Sequence, residues 1–124
     1  MSQVLIVEDN EKNMKLARDV LQAKGYKTAE AVTGEEGVKL AKEKKPDLVL
    51  MDIQLPGLNG IEAFKQIRAD AKTARIPVIA LTASVTPTDR NEINAAGFDA
   101  FVSKPISVRE FLDTVKRLLQ GAKK

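Results

Sequence analysis

Five short apolar runs divide the chain, and between them apolar residues recur at the three- to four-residue spacing of helices. The runs predict strands at 3–7, 27–31, 48–51, 78–82 and 100–103, and the spaced segments predict helices at 11–24, 34–44, 60–70, 88–96 and 107–120. Strands that are apolar on both faces and alternate with helices are typical of a parallel sheet covered on both sides. The pattern therefore predicts a doubly wound α/β fold with a five-stranded parallel sheet and five helices.

Helix-ending and helix-capping residues lie at these boundaries. Gly25 follows the first helix, where a glycine commonly ends one. Thr33 precedes Glu36 by three residues, and Ser107 precedes Glu110 by the same distance, which is the spacing of a capping box. Local chemistry thus supports the starts of the second and fifth helices.

The first helix is predicted to bury one apolar stripe. Its spacing assigns Leu16, Val20 and Leu21 to the core, and Met14, at the edge of the stripe, belongs either to the core or to a partner contact. Phe98 is assigned to the core as well.

Length and composition indicate one domain. A chain of 124 residues with 44% hydrophobic residues can build one core, here predicted over residues 1–120 with a tail at 121–124. The apolar runs are too short to cross a membrane, so we expect a cytoplasmic protein. The chain has no cysteine and no histidine, which excludes disulfides, thiol or imidazole catalysis and zinc sites built from these residues.

The formal net charge of +3 raises the question of nucleic-acid binding. The lysines are interleaved with acids along the predicted helices, which is typical of solvated helix faces. The sequence offers no basic run and no aromatic platform for bases. We therefore predict no nucleic-acid partner and no membrane partner.

Reactive side chains close four of the apolar runs. Glu8 and Asp9 follow the first run, Asp52 ends the third, Thr82 ends the fourth and Lys104 follows the fifth. In a parallel sheet all carboxyl ends of strands lie on one edge, where ligands bind. We therefore expect these five residues to form one site.

Three carboxylates at one site repel one another unless a cation joins them. Mg²⁺ prefers oxygen ligands and keeps several waters, so it suits Glu8, Asp9 and Asp52. With a metal bound, Asp52 has the chemistry of a nucleophile that forms an aspartyl-phosphate. Lys104 and Thr82 could then bind phosphoryl oxygens.

Five segments carry a resemblance to a known family: Glu8-Asp9-Asn10, residues 51–56 (Met-Asp-Ile-Gln-Leu-Pro), Gly60, Leu81-Thr82-Ala83 and Lys104-Pro105. Together and in this order they resemble the receiver domains of two-component response regulators. Residues 7–16 and 104–108 are most similar to stand-alone, DivK-like single-domain regulators. The resemblance implies a flavodoxin-like strand order, 2-1-3-4-5.

The resemblance also implies a role for each site residue. Asp52 would accept a phosphoryl group from a phosphohistidine, with Mg²⁺ (or Mn²⁺ in its place) held by Asp9, Asp52, the backbone carbonyl of Gln54 and Glu8, the last through water. Thr82 and Lys104 would bind the phosphoryl oxygens. Thr82 and Phe101 would form a switch pair. Gln54, Ala83 and Ser84 would modulate dephosphorylation or access to the site, and Pro105 would be a structural proline in a cis peptide.

The implied partners are proteins. The phosphoryl donor would be a histidine kinase or a histidine phosphotransfer protein, and a downstream protein target would recognise a surface around Phe101, Arg90, Arg109 and Phe111. The chain would be a monomer or a weak phosphorylation-dependent dimer, and it would catalyse only its own Mg-dependent phosphorylation and dephosphorylation.

Four alternatives remain open at this point. The chain could be an excised receiver module of a hybrid histidine kinase, or a degenerate receiver that signals without phosphorylation. A haloacid-dehalogenase-like phosphatase would need a second acid at Gln54. A flavodoxin-like flavin carrier would need a phosphate-binding loop where Glu8 and Asp9 stand.

Overall fold

The strands form the predicted parallel sheet. A computed structural model describes residues 2–53, 55, 59–82, 91, 93, 95–103 and 106–122. Its five strands lie in the order β2-β1-β3-β4-β5, and every neighbouring pair is parallel. This confirms the predicted fold class and strand order. The bounds are β1 (Gln3–Val7), β2 (Lys27–Ala31), β3 (Leu48–Asp52), β4 (Val78–Thr82) and β5 (Ala100–Ser103).

Four helices have complete bounds within the described residues: α1 (Glu11–Ala23), α2 (Gly34–Lys44), α3 (Gly60–Ala69) and the last helix, α4 (Val108–Ala122). The predicted helix at 88–96 lies largely outside the described residues, of which 91, 93, 95 and 96 are helical. The last helix runs two residues beyond its predicted end, into the predicted tail. In the part of the chain that the structure describes, no helix is long and apolar enough to cross a bilayer.

The Thr33 capping box forms with one change. The hydroxyl of Thr33 accepts the N–H of Glu36 at 3.1 Å, as the spacing predicts. The carboxylate of Glu36 accepts the N–H of Val32 at 3.2 Å, one residue before the cap. Both bonds fix the start of α2.

The sheet separates two apolar clusters because alternate side chains of each strand face opposite sides. One cluster joins the sheet to α1 and α4 through side chains such as Leu21, Phe111 and Val115. The other joins the opposite face to α2 and α3 through side chains such as Val38 and Phe64. All five residues of β3 and of β4 are buried, as expected for strands covered on both faces.

Two predicted side-chain positions are wrong. Leu16 was expected in the core but is 37% exposed. Met14, for which both positions were open, is 5% exposed and packs in the cluster that joins the sheet to α1 and α4. Phe111 is fully buried, so it cannot contribute to a partner surface. The centre of the buried stripe of α1 lies near Met14, Ala17 and Leu21, and helical spacing alone does not fix where that centre falls.

Arg68 ties the end of α3 to the starts of β4 and β5. Its guanidinium donates to the carboxylate of Asp99 and, at 3.1 Å, to the carbonyl of Ala74. It also lies 4.8 Å from the ring centroid of Phe64, which stacks on Phe98 with centroids 4.0 Å apart. The stack confirms the core assignment of Phe98.

Candidate functional site

The sheet backbone holds the predicted acids in place. The N–H of Glu8 donates to the carbonyl of Ala31 at 3.0 Å, which continues the β1–β2 ladder one residue past β1. The N–H of Ile53 donates to the carbonyl of Leu81 at 2.9 Å, which does the same for β3 and β4. Because both bonds join neighbouring strands, the sheet fixes the backbone at Glu8 and at Asp52.

Asp9 lies in the short turn between β1 and α1. The next residue, Asn10, is the N-cap of α1, and its side-chain oxygen accepts the N–H groups of Lys12 and Asn13 at 3.0 and 3.1 Å. Such a cap satisfies backbone donors that the helix itself leaves unpaired. The turn carrying Asp9 is therefore fixed by the strand on one side and by the capped helix on the other.

The three predicted carboxylates lie together. One oxygen from each of Glu8, Asp9 and Asp52 lies within 4.8 Å of the others. Glu8 is 1% exposed and Asp52 2% exposed, while Asp9 faces solvent. Like charges at this distance repel, and burial strengthens the repulsion. An all-oxygen donor set with one open side is chemically suited to a hard divalent cation, which would offset that repulsion.

A cavity of about 370 Å³ opens beside the cluster. Its lining includes Glu8 and Asp9 together with Lys15, Arg18 and Val32. The cavity lies between α1 and the end of β2, on the side of the cluster formed by Glu8 and Asp9.

Thr82 lies at the same edge of the sheet. It ends β4, is buried, and follows Leu81, which pairs with Asp52 across the β3–β4 ladder. Phe101, half-buried in β5, pairs with Ala80. Because Ala80 and Thr82 are two residues apart in one strand, Thr82 and Phe101 project from the same face of the sheet. This arrangement is compatible with the proposed switch pair, whose role stays a prediction.

Other predicted site residues lie outside the described residues. They are the phosphoryl-binding lysine, the metal-ligating and modulating positions, the structural proline and one surface arginine: Lys104, Gln54, Ala83, Ser84, Pro105 and Arg90. Their predicted roles stay predictions.

Sequence reasoning missed how closely α3 approaches the site. Gly60, which begins the helix predicted at 60–70 and belongs to the segments that carry the resemblance, starts α3 directly against the backbone of Asp52. A Cβ built on Gly60 would lie 2.1 Å from the carbonyl oxygen of Asp52. The glycine after the turn was visible in the sequence, but the contact depends on the tertiary packing of α3 against β3.

The profile of the response regulator receiver domain matches residues 4–116. The chain belongs to the response regulator receiver family. Its receiver domain is 49% identical to the polar-differentiation response regulator DivK of Brucella anthropi over 119 residues, which cover 96% of this chain and 97% of that protein. The receiver fold and the family resemblance predicted from sequence are thereby confirmed. The matches do not favour the phosphatase or flavin-carrier alternatives.

Solved receiver structures superpose closely on this one. The receiver domain of a signal transduction histidine kinase from Syntrophus aciditrophicus is 31% identical, with a TM-score of 0.93 and coverage of 100% of this chain and 94% of that chain. The receiver domain of a sensor histidine kinase from Pseudomonas aeruginosa PAO1 is 33% identical, with a TM-score of 0.90 and coverage of 96% and 98%. That Pseudomonas structure has a magnesium ion coordinated in its active-site cleft.

Proposed function

We propose that this receiver domain accepts a phosphoryl group on the carboxylate of Asp52 from a phosphohistidine of a histidine kinase or phosphotransfer protein. The observation that carries the proposal is the cluster of Glu8, Asp9 and Asp52, in which Asp52 ends a buried strand at the carboxyl edge of the sheet. An oxygen of Asp52 would attack phosphorus, and the P–N bond to the donor imidazole would break. The electron pair of that bond returns to the imidazole nitrogen.

The acids would hold Mg²⁺, by analogy with the ion in the Pseudomonas receiver domain. When bound, Mg²⁺ supplies positive charge that offsets the carboxylates and the incoming phosphoryl oxygens. Asp9 and Asp52 would be direct ligands and Glu8 would act through water, with the carbonyl of Gln54 as a further ligand; Mn²⁺ can substitute.

The remaining side chains would bind and sense the phosphoryl group. The hydroxyl of Thr82 would donate a hydrogen bond to one phosphoryl oxygen, and Lys104 would pair with another. Movement of Thr82 toward the phosphoryl group would let Phe101, on the same face of the sheet, change its position. The output would be contact with a protein target that recognises the surface around Phe101 and Arg109.

The acceptor is tested by the intact mass of the protein after incubation with a small acyl-phosphate donor and Mg²⁺. The wild type should gain one phosphoryl group, and Asp52→Asn should gain none. Asp19→Asn, which removes an exposed acid on α1, serves as the control and should gain the group normally. Full phosphorylation of Asp52→Asn would reject the site, and an unmodified wild type would favour a receiver that signals without phosphorylation.

The metal ligands are tested by calorimetric titration of the unphosphorylated protein with Mg²⁺. Asp9→Ala should weaken binding more than Glu8→Ala, since a ligand acting through water contributes less than a direct one. Because Glu8 is buried, Glu8→Gln is included to keep its volume. Equal losses for Asp9→Ala and Glu8→Gln would mean that Glu8 is a direct ligand.

A further inference from the structure

Cationic side chains line the edge of the sheet at which the strands begin, opposite Asp52. They come from the end of α1 and the start of β2, from the end of α2, and from the α3–β4 connection. All are exposed, and none has an ion-pair partner among the described residues. We call these residues the basic edge: Lys24, Lys27, Lys44, Lys45, Lys72 and Arg75.

The acids in the connections at this edge are engaged in internal bonds. Asp47 accepts the N–H of Gln3 at 2.8 Å, and Asp99 accepts the N–H of Val78 at 2.8 Å. Asp70 accepts the backbone N–H of Lys72 at 2.8 Å. Their carboxylates thus hold neighbouring segments together, whereas the cations of the basic edge are exposed.

Lys45 adds a second, independent observation. It ends α2 in the left-handed conformation, with φ of 46°, while its N–H donates to the carbonyl of Ala41 at 3.0 Å. Glycine is the usual residue at such a helix end because a side chain is strained there. The chain therefore places a cation where the backbone alone favours glycine, and strain of this kind is a recognised sign of function.

We propose that the basic edge binds an acidic, carboxylate-rich segment of a partner protein. Its six exposed cations complement a run of carboxylates in charge, while the sequence offers no basic run and no aromatic platform for a nucleic acid. The large hydrophobic residues exposed in the described part of the chain are Leu16, Val32 and Val108, none of which belongs to this edge. A bilayer would therefore gain little apolar contact here.

An acidic segment bound at this edge would leave the phosphorylation site open. β3 runs from the basic edge to Asp52, and four residue steps of a strand separate its two ends by about 13 Å. One partner could therefore hold the receiver by the basic edge while a phosphoryl donor reaches Asp52. This inference does not depend on the proposed phosphorylation.

The test uses a fluorescein-labelled decaglutamate peptide and the unphosphorylated full chain, with Kd measured by anisotropy at low and physiological salt. The triple variant Lys27→Glu, Lys45→Glu, Arg75→Glu should weaken binding at least about tenfold, since several charge contacts are reversed together. The control triple Lys12→Glu, Lys39→Glu, Arg117→Glu makes the same change in net charge on exposed helix positions and should weaken it less than about threefold. Equal losses, or no peptide binding by the wild type at low salt, would overturn the proposal.

Lys45→Gly separates binding from folding. It removes both the strain and one cation, so it should raise the melting temperature while weakening peptide binding about two- to fivefold. Unchanged peptide affinity would show that Lys45 does not contribute to peptide binding. Phosphatidylserine vesicles and a DNA duplex are titrated in parallel, and tighter binding to either than to the peptide would overturn the assignment to an acidic protein segment.

Discussion

A methyl group at position 60 has no room. A Cβ on Gly60 would lie 2.1 Å from the carbonyl oxygen of Asp52, 2.7 Å from the Cα of Ile53 and 2.8 Å from the carbonyl carbon of Asp52. Since carbon and oxygen atoms normally approach no closer than about 3.3 Å, α3 and the end of β3 would have to separate by about 1 Å. All three atoms belong to the backbone, so no side-chain rotation can relieve the contact.

Gly60→Ala should therefore lower both stability and the rate of phosphorylation. Overpacking typically costs about 1 to 3 kcal/mol, and a backbone clash belongs at the upper end, near 3 kcal/mol. For a chain of this length that loss lowers the melting temperature by roughly 10 °C. Because the strained backbone carries Asp52, and a 1 Å misplacement can cost up to about a hundredfold in rate, the phosphorylation rate should fall at least about tenfold.

Urea unfolding measures the loss of stability. The rate of mass gain with a small acyl phosphate, at a temperature where the variant is folded, measures the effect on the phosphorylation site. Gly37→Ala is the matched control, since its Cβ would meet the Cγ2 and Cγ1 atoms of Val7, at 2.8 and 2.9 Å. Val7 is buried and β-branched, so the control should also lose about 1 to 3 kcal/mol of stability. The crowded atoms belong to a side chain and not to the backbone of Asp52, so the control should keep its phosphorylation rate within about threefold. If Gly60→Ala stays within about 1 kcal/mol of wild type and keeps its rate, the contact does not position Asp52.

Two further predictions concern neighbouring features of the fold. Thr82→Ala should still be phosphorylated but should lose the phosphorylation-dependent change in the NMR signals of the Phe101 ring, because a charge-assisted hydrogen bond of about 1.5 to 3 kcal/mol is missing. The same change of these signals in wild type and variant would contradict the coupling between Thr82 and Phe101. Arg68→Met should lower the free energy of unfolding by about 2 to 3 kcal/mol in urea titrations, because Asp99 loses its charged donor while methionine keeps an aliphatic chain at position 68. A loss below about 0.5 kcal/mol would show that the ion pair between Arg68 and Asp99 contributes little.

The strands and the acid cluster could be predicted because one simple pattern controls both. A fully buried parallel strand such as β3 requires an unbroken apolar run, so its end at Asp52 is visible in the sequence. The shared edge of a parallel sheet then implies that Glu8, Asp9 and Asp52 meet, as they do. No tertiary information was needed for that step.

Helix orientation and long-range contacts could not be predicted in the same way. Helical spacing shows that α1 has an apolar stripe, but the neighbouring elements decide that Met14 faces the core and Leu16 faces solvent. The bond between Arg68 and Asp99 joins residues far apart in sequence, and no local pattern indicates it. The approach of Gly60 to Asp52 is a tertiary contact of the same kind.

The position of β1 within the sheet has a consequence for synthesis on the ribosome. β1 is made before the other four strands, yet it pairs with both β2 and β3, and Val4 to Val7 are fully buried in the folded chain. At about 5 to 20 residues per second, roughly 2 to 9 s pass between the end of β1 and the end of β3. During that interval the nascent chain carries an apolar strand with at least one unsatisfied edge, the kind of segment that pairs with other chains and that chaperones protect.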